Sequence, residues 1–286
     1  MRITDIIKGE KPSLSFEVFP PKTSDTYENV KEAAEAIANL SPSYMSVTYG
    51  AGGGTSAYTV DIAEKIKAKG VEPLAHLSCV TSTKEGVTAQ LRALREHGIE
   101  NILALRGDIP SDFKADHLDY HYASELTEDI VRFGGFCVGG ACYPENHPES
   151  ENSAADIESL RIKVAAGCEF LTTQMFFDNN ILYNFMYRLL RAGVNVPVVA
   201  GVMPVTNAKQ IKRICSLSGT ALPQRFLRIV DRYGDNDAAM KQAGIAYATD
   251  QIIDLFANGI NAVHVYSMNK PDVAAAIQAN LSEIIG

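Results

Sequence analysis

The sequence predicts an α/β protein folded as a closed (β/α)8 TIM barrel. The chain has 286 residues, of which 46% are hydrophobic and 21% are charged, as in an ordinary globular protein. Short apolar segments alternate with longer amphipathic ones, and the first seven apolar segments start 27 to 36 residues apart. That spacing is typical of a βα unit, which consists of one strand, one helix and two loops.

Eight apolar segments are the predicted strands of this barrel. They are, in chain order, Leu14–Val18, Tyr44–Thr48, Pro73–Leu77, Asn101–Leu105, Cys137–Ala141, Phe170–Gln174, Pro197–Gly201 and Ala262–Tyr266. Amphipathic patterns predict helices between them at Thr26–Leu40, Ser56–Lys69, Lys84–His97 and Ser153–Ala166. Eight strands that alternate with helices favour a closed barrel over an open, doubly wound sheet.

The interval between the last two predicted strands has room for extra helices, which we predict at Asn207–Ser216, Leu222–Tyr233 and Asp237–Asn258. The chain contains no Ser-, Gly- or Pro-rich linker and no change in composition, so residues 1–286 are expected to form one domain. No GxGxxG motif follows a predicted strand and no GxxxxGK[ST] motif occurs. These absences weaken the dinucleotide-fold and P-loop alternatives.

Composition also limits the partners and the location of the protein. There are 26 Lys and Arg residues against 34 Asp and Glu residues, and the net charge of −8 disfavours nucleic acid as a partner. The longest apolar stretch, near residues 194–205, is too short and broken to span a membrane, and no secretory signal is evident. Five cysteines without a CxxC pair argue against disulfides and zinc. We therefore expect a reduced, cytoplasmic protein.

Polar side chains lie within or just after nearly every predicted strand, at the end where barrel enzymes carry their active sites. Strands that are buried on both faces should be almost continuously apolar, so these residues need a functional or electrostatic reason. The sequence therefore predicts one site at this rim of the barrel. Its members are Glu17, Thr48, Tyr49, His76, Ser78, Arg106, Asp108, Tyr143, His147, Gln174, Tyr266, Asn269 and Lys270.

Several of these residues allow two interpretations. Desolvation would raise the pKa of Glu17 and suit it to general acid catalysis, but a structural Arg or Lys could neutralise it instead. Asp108 is either a catalytic carboxylate at the barrel mouth or an ion-pair partner of Arg106. By itself, His76 would more often be a core histidine, whereas the Pro-rich loop around His147 favours function.

Two other features bear on the chemistry. The glycine-rich segment at residues 50–55 could cradle a phosphate at a helix N-terminus, although such a segment is more often a flexible loop. The predicted strands contain no lysine, which counts against an aldolase that forms a Schiff base from a strand lysine.

Eight short segments occur in a specific order between about residue 14 and residue 270. They are SFEVFPP (15–21), SVTYG (46–50), HLSC (76–79), ALRGD (104–108), YPENHPE (143–149), TQMFFD (173–178), GVMP (201–204) and VYSMNK (265–270). Together they resemble the 5,10-methylenetetrahydrofolate reductases of the short bacterial type. The resemblance implies a TIM barrel with non-covalent FAD at the rim and NADH or NADPH as hydride donor. It also implies a ping-pong cycle that yields 5-methyltetrahydrofolate for one-carbon metabolism and methionine synthesis.

The resemblance also implies roles for single residues. Glu17 matches the general acid that promotes opening of the folate's five-membered ring to an iminium ion. Asp108 matches a carboxylate beside the flavin and the pterin, where its charge would stabilise that cation. The implied substrate-binding positions are Glu17, Gln174, Ile214, Tyr266 and Lys270. The implied FAD-binding positions are Thr48, His76, Arg106, Gly107, Asp108, Tyr122, Ala123, Tyr143, His147, Asp156 and Lys163, with His147, if protonated, among the cations that suit the diphosphate.

Three positions depart from the family pattern. Lys270 stands where an Arg is common, Ile214 where a Phe often stacks on substrate, and Ser159 where an Asn contacts FAD. These departures leave the choice between NADH and NADPH open. We expect a homo-oligomer that lacks the regulatory, S-adenosylmethionine-binding domain of longer eukaryotic enzymes. A different flavin barrel, such as a proline-dehydrogenase-like oxidase, and a flavin subunit that exchanges electrons with a partner protein are the alternatives.

Overall fold

A closed barrel of eight parallel strands forms the centre of the molecule. The computed structural model describes residues 1–21, 24–49, 56–109 and 118–286, so the glycine-rich segment at 50–55 lies outside the described residues. Each strand pairs with the next one along the chain, and the eighth pairs with the first. The predicted fold class is therefore confirmed.

All eight predicted strands are present, and their ends differ from the predicted ones by no more than one residue. They are β1 (Ser13–Val18), β2 (Met45–Val47), β3 (Pro73–Ser78), β4 (Asn101–Leu105), β5 (Cys137–Cys142), β6 (Phe170–Thr173), β7 (Val198–Val202) and β8 (Ala262–Val265). The α-helices are α1 (Ile3–Ile7), α2 (Tyr27–Ala38), α3 (Ser56–Ala68), α4 (Lys84–Glu96), α5 (Ala123–Phe133), α6 (Ser153–Ala165), α7 (Asn179–Arg191), α8 (Ala208–Ser218), α9 (Gln224–Tyr233), α10 (Asp237–Ala257), α11 (Pro271–Asn280) and α12 (Ser282–Ile285). A 3-10 turn, Ser24–Thr26, precedes α2.

Strand β1 shows how alternation divides its side chains between two environments. Leu14, Phe16 and Val18 belong to the main hydrophobic core, which lies between the barrel and the surrounding helices. Successive residues of a strand point to opposite faces, so Ser15 and Glu17 point into the barrel. The polar members of β1 therefore lie inside the barrel rather than between the strands and the helices.

The end of the barrel where the strands begin is closed by the short helix α1. Ile3 and Ile7 pack in a cluster inside this end. The buried side chain of Asn101 accepts a hydrogen bond from the Ile3 amide at 2.9 Å and donates one to the Met1 carbonyl at 3.1 Å. The other buried members are Tyr44, which directly precedes β2, and six strand residues, namely Leu74, Leu103, Cys137, Phe170, Val199 and Ala262. This packed end leaves the opposite rim for a site.

Three helices, α8, α9 and α10, lie between β7 and β8. They pack on the segments that follow β6 and β7, in a cluster that includes Phe177, Val205 and Phe226. Helix α10 approaches the main chain at Gly244, where an added Cβ would lie 1.7 Å from the Val205 carbonyl oxygen. Among the described residues, no helix has the length and apolar character needed to cross a membrane.

Candidate active site

Glu17 points into the barrel near the carboxyl end of β1, with 12% of its side chain exposed. Within the described part of the chain, no Arg or Lys lies within 4.0 Å of its carboxylate, and the basic group within that distance is His76, at 3.9 Å. Burial raises the pKa of Glu17 to about 8, although a hydrogen bond from Ser46 favours the ionised form. Glu17 is therefore mostly protonated at neutral pH, and the alternative of a structural cation is wrong for the described residues.

The contact between Glu17 and His76 joins two neutral groups. His76 is buried within β3, and burial lowers its pKa to about 3. An imidazole with that pKa carries no charge at neutral pH, so it leaves the raised pKa of Glu17 in place. His76 is thus buried, as a core histidine would be, and it also lies beside the predicted acid Glu17.

Three polar residues that the sequence analysis did not single out lie behind Glu17. Ser46 is opposite Glu17 in the register of β1 and β2, and its Oγ is 2.9 Å from Nε2 of His264. Ser15 Oγ lies 2.8 Å from Nδ1 of the same imidazole. The signal for them was a polar residue at every second position of a strand, as in Ser13, Ser15 and Glu17.

Arg106, at the end of β4, forms a bidentate ion pair with Glu149. Its two terminal nitrogens each lie 2.6 Å from a carboxylate oxygen of Glu149, whose side chain is 63% exposed. The hydrogen bonds from Arg106 lower the pKa of Glu149. Asp108 is exposed and adds only a longer-range charge effect on Arg106. The predicted alternative in which Arg106 pairs with Asp108 is therefore wrong, because Glu149 takes that place.

The loop after β5 brings Tyr143 and His147 together. Their rings make an edge contact at a centroid distance of 4.6 Å, and Tyr143 also hydrogen-bonds to Gln174. The His147 amide donates to Asp156 at 3.3 Å. Burial and the nearby charge of Arg106 lower the pKa of His147, so its ring is neutral at neutral pH. The positive charge that a protonated His147 would offer a diphosphate is therefore missing.

Lys163 is held beneath this rim by the main chain. Its ammonium group donates to the Ala141 carbonyl oxygen at 2.6 Å, and burial lowers its pKa. An added Cβ on Gly140 would lie 2.7 Å from the Lys163 stem, so a glycine is needed there. A ligand would have to compete with Ala141 for this cation.

The remaining predicted FAD positions lie around the same rim. Thr48 follows β2, and its amide donates to the Val18 carbonyl oxygen at 3.0 Å. Tyr122 is 66% exposed and directly precedes Ala123, the first residue of α5. Gly107 follows Arg106 with a φ of 84°, a conformation that favours glycine.

The substrate positions lie on the side of the rim formed by β6, β7 and β8. The Tyr266 hydroxyl donates to the Thr173 carbonyl oxygen. Lys270 donates from Nζ to Thr206 Oγ1 at 2.6 Å, and Thr206 lines a small cavity together with Ile214. Lys270 itself lines the adjacent groove, so Ile214 and Lys270 lie at two neighbouring depressions that share Thr206. Glu17 lies at the barrel mouth beside Tyr266, whose pKa its charge helps to raise.

Comparison with known proteins identifies the family. The family model described as methylenetetrahydrofolate reductase matches residues 2–282. The chain belongs to the methylenetetrahydrofolate reductase family. It is 33% identical over 266 residues to the 5,10-methylenetetrahydrofolate reductase of Escherichia coli strain K12, covering 93% of this chain and 89% of that protein.

A plant relative extends well beyond the aligned region. This chain is 33% identical over 303 residues to methylenetetrahydrofolate reductase (NADH) 1 of Arabidopsis thaliana, covering 99% of this chain and 51% of that protein. The chain thus spans about half the length of this plant member of the family.

Solved structures with low sequence identity share the barrel. A Clostridium thermocellum protein that binds two copies of 5-methyl-5,6,7,8-tetrahydrofolic acid superposes with a TM-score of 0.61 at 13% identity, covering 99% of both chains. A ligand-free tryptophan synthase from M. tuberculosis gives a TM-score of 0.55 at 13% identity, covering 96% of this chain and 94% of that one. At these identities the likeness shows the fold alone.

Proposed function

We propose that this chain reduces 5,10-methylenetetrahydrofolate to 5-methyltetrahydrofolate, with a hydride from NADH or NADPH that passes through FAD in a ping-pong cycle. The observation that carries the proposal is Glu17, a carboxyl at the barrel rim with a pKa of about 8 and no Arg or Lys partner among the described residues. Family membership supports the folate substrate. Formation of 5-methyltetrahydrofolate from NADH or NADPH and the methylene substrate, followed by chromatography, tests it.

Glu17 supplies the proton that opens the folate ring. The carbon–nitrogen bond of the five-membered ring breaks more easily when the leaving nitrogen is protonated, and a carboxyl that is neutral at neutral pH can deliver this proton. After the transfer, the Ser46 hydroxyl stabilises the Glu17 carboxylate with a hydrogen bond. The negative charge of Asp108, at the same rim, stabilises the cationic iminium ion without moving a proton.

The donor set around Arg106 fits FAD. The guanidinium, which is 23% exposed, has the planar fork of donors that suits a diphosphate. Asn146, in the loop between Tyr143 and His147, has a buried side-chain oxygen without a hydrogen-bond partner among the described residues, and a ligand donor would satisfy it. When bound, FAD would accept a hydride from the nicotinamide and give it to the folate. Arg106 would hold the diphosphate once Glu149 has moved away.

Glu149→Gln is expected to tighten FAD binding. The carboxylate of Glu149 occupies the guanidinium of Arg106 and repels a diphosphate, whereas the amide is neutral. Exposed ion pairs contribute about 0.2–1 kcal/mol, so the Kd should fall by up to about fivefold. Titration of apoprotein with FAD, followed by flavin fluorescence, measures the change.

Glu151→Gln is the matched control, because it removes the same charge from an exposed position in the same loop. Its Kd for FAD should stay close to that of the wild type. If the Kd for FAD falls equally in both variants, the cause is the loss of one negative charge and not the release of Arg106. Weaker FAD binding by Glu149→Gln would contradict the assignment of Arg106 to the diphosphate.

Lys270→Ala is expected to raise the KM of one substrate and to leave the FAD content unchanged. Lys270 lines the groove beside the cavity of Ile214 and contacts Thr206, which lines both, so its charge can attract an anionic group of the folate or the nicotinamide dinucleotide. Lys241→Ala is the control, since Lys241 lines the same groove but is paired with Asp272. Steady-state kinetics of both variants decide the matter, and an equal rise in KM would contradict a specific role for Lys270.

A further inference from the structure

A line of polar side chains runs from Glu17 into the barrel. The proposed mechanism uses only its first two members, Glu17 and Ser46, which lie opposite each other in the register of β1 and β2. Beyond Ser46 the line continues through His264, whose Nε2 lies 2.9 Å from Ser46 Oγ, to Ser15, whose Oγ lies 2.8 Å from Nδ1. Ser15 also donates to the Val263 carbonyl oxygen at 3.0 Å. Ser15 and Ser46 are fully buried and His264 is 2% exposed, so water cannot easily replace these partners.

The His264 ring is fixed in orientation as well as buried. It stacks on Tyr44 at a centroid distance of 5.8 Å and an interplanar angle of 3°, and Tyr266 contacts it edge-on at 5.5 Å. Both ring nitrogens have a serine hydroxyl as partner. A neutral imidazole donates a hydrogen bond from one nitrogen and accepts one at the other. The tautomer of His264 therefore decides which serine donates to the ring and which accepts from it.

Counting protons links this tautomer to Glu17. Ser46 has a single hydroxyl proton, which it can donate either to Glu17 or to His264. When Glu17 is ionised, Ser46 donates to the carboxylate, and Nε2 of His264 must then carry a proton to donate to Ser46. When Glu17 is protonated, its carboxyl can donate to Ser46, and Ser46 then donates to an unprotonated Nε2. In that second state Nδ1–H donates to Ser15, which matches the hydrogen bond from Ser15 to the Val263 carbonyl oxygen.

We propose that His264 is a positioning residue whose tautomer follows the protonation of Glu17, with the proton on Nδ1 when Glu17 is protonated and on Nε2 when it is ionised. The imidazole loses one proton and gains one, so it is neutral in both states. Ser46 can thereby act as acceptor before Glu17 gives up its proton and as donor afterwards. The proposal rests on the proposed function only for the role of Glu17 as the acid.

The groups that face this line do not titrate together with Glu17. They are His76 from β3, Tyr44, which directly precedes β2, and Tyr266, which directly follows β8. Burial lowers the pKa values of His76 and His264 to about 3, and it raises those of Tyr44 and Tyr266 above their usual range. A change near the pKa of Glu17 therefore reports on Glu17 itself.

Nitrogen NMR of the full chain labelled with 15N-histidine tests the proposal, because protonated and unprotonated ring nitrogens have well separated shifts. The His264 signals are assigned by their loss in His264→Gln or, if that variant does not fold, by substituting the other histidines in turn. The infrared carboxyl band that disappears in Glu17→Gln gives the state of Glu17. From well below to well above its pKa of about 8, the proton of His264 should move from Nδ1 to Nε2 with the same midpoint.

Two variants provide the controls. In Glu17→Gln the tautomer should not change with pH, and in Ser46→Ala it should stop following Glu17, which still titrates. A tautomer that stays constant in the wild type while Glu17 titrates, or that still changes in Glu17→Gln, would overturn the proposal. Neither readout needs catalysis, so loss of the proposed reductase function and loss of this coupling are distinguishable.

Discussion

Glu17→Gln is expected to reduce its flavin with NADH at close to the wild-type rate and to lose about 10²–10⁴-fold in folate reduction. Hydride transfer from the nicotinamide needs no proton on the folate. Opening of the folate ring does, and an amide cannot supply it. Stopped-flow absorbance of the two half-reactions, each measured anaerobically, separates these steps.

The pH dependence of the wild type should show the same division. Burial raises the pKa of Glu17 to about 8, so the acid is present below that pH and is lost as the pH rises through it. The folate half-reaction should slow over this range, while the flavin half-reaction should not show that transition. In Glu17→Gln the transition should be absent.

Two further measurements separate a catalytic role of Glu17 from a structural one. An amide at position 17 is neutral without binding a proton, so the variant should be at least as stable as the wild type above the pKa of Glu17. Asp108→Asn provides the comparison, because it changes a charge at the rim and should alter the flavin's reduction potential as well as the folate step.

An equal loss of rate in both half-reactions of Glu17→Gln would contradict the catalytic role and make Glu17 a structural residue.

Gly244→Ala is expected to destabilise the fold by about 1–3 kcal/mol, the usual range for overpacking. The added Cβ would lie 1.7 Å from the Val205 carbonyl oxygen and 2.6 Å from its carbonyl carbon, which are main-chain atoms that cannot rotate away. The higher helix propensity of Ala, worth about 1 kcal/mol, offsets only part of this cost. Urea unfolding and the melting temperature measure the change.

The same substitution should disturb the substrate side of the rim. Val205 lines the same cavity as Thr206 and Ile214, so displacement of its main chain changes the shape of that cavity. The KM of a substrate that binds there should therefore rise. Ala246→Ser, at an exposed position of the same helix, is the matched control and should stay within about 0.5 kcal/mol of the wild type. Wild-type stability of Gly244→Ala would show that α10 does not pack as closely as described.

The barrel itself could be predicted from the sequence because its strands are short, mostly apolar and regularly spaced. Parallel strands buried on both faces have this pattern, which is why the predicted ends of β4 are those observed and the others are off by one residue. The burial of Glu17 was predictable for the same reason, since Phe16 and Val18 flank it. That Glu17 has no Arg or Lys partner in the described part of the chain depends on tertiary structure, which composition does not reveal.

The partners of the polar residues could not be predicted, because the fold brings them together from distant parts of the chain. Arg106 and Glu149 are 43 residues apart, and a bidentate pair between them depends on how two loops meet. Ser46 and His264 are 218 residues apart and meet only because β1 lies between β2 and β8. The lowered pKa of His147 likewise depends on tertiary structure, through its burial and its distance from Arg106.

The absorbance spectrum of the purified, FAD-loaded protein under anaerobic conditions tests the central claim most directly. NADH or NADPH alone should bleach the yellow flavin band, and 5,10-methylenetetrahydrofolate added afterwards should restore it with formation of 5-methyltetrahydrofolate. Failure of the folate to restore the band, or bleaching that requires an added protein, would contradict the proposal that this chain by itself carries out both half-reactions.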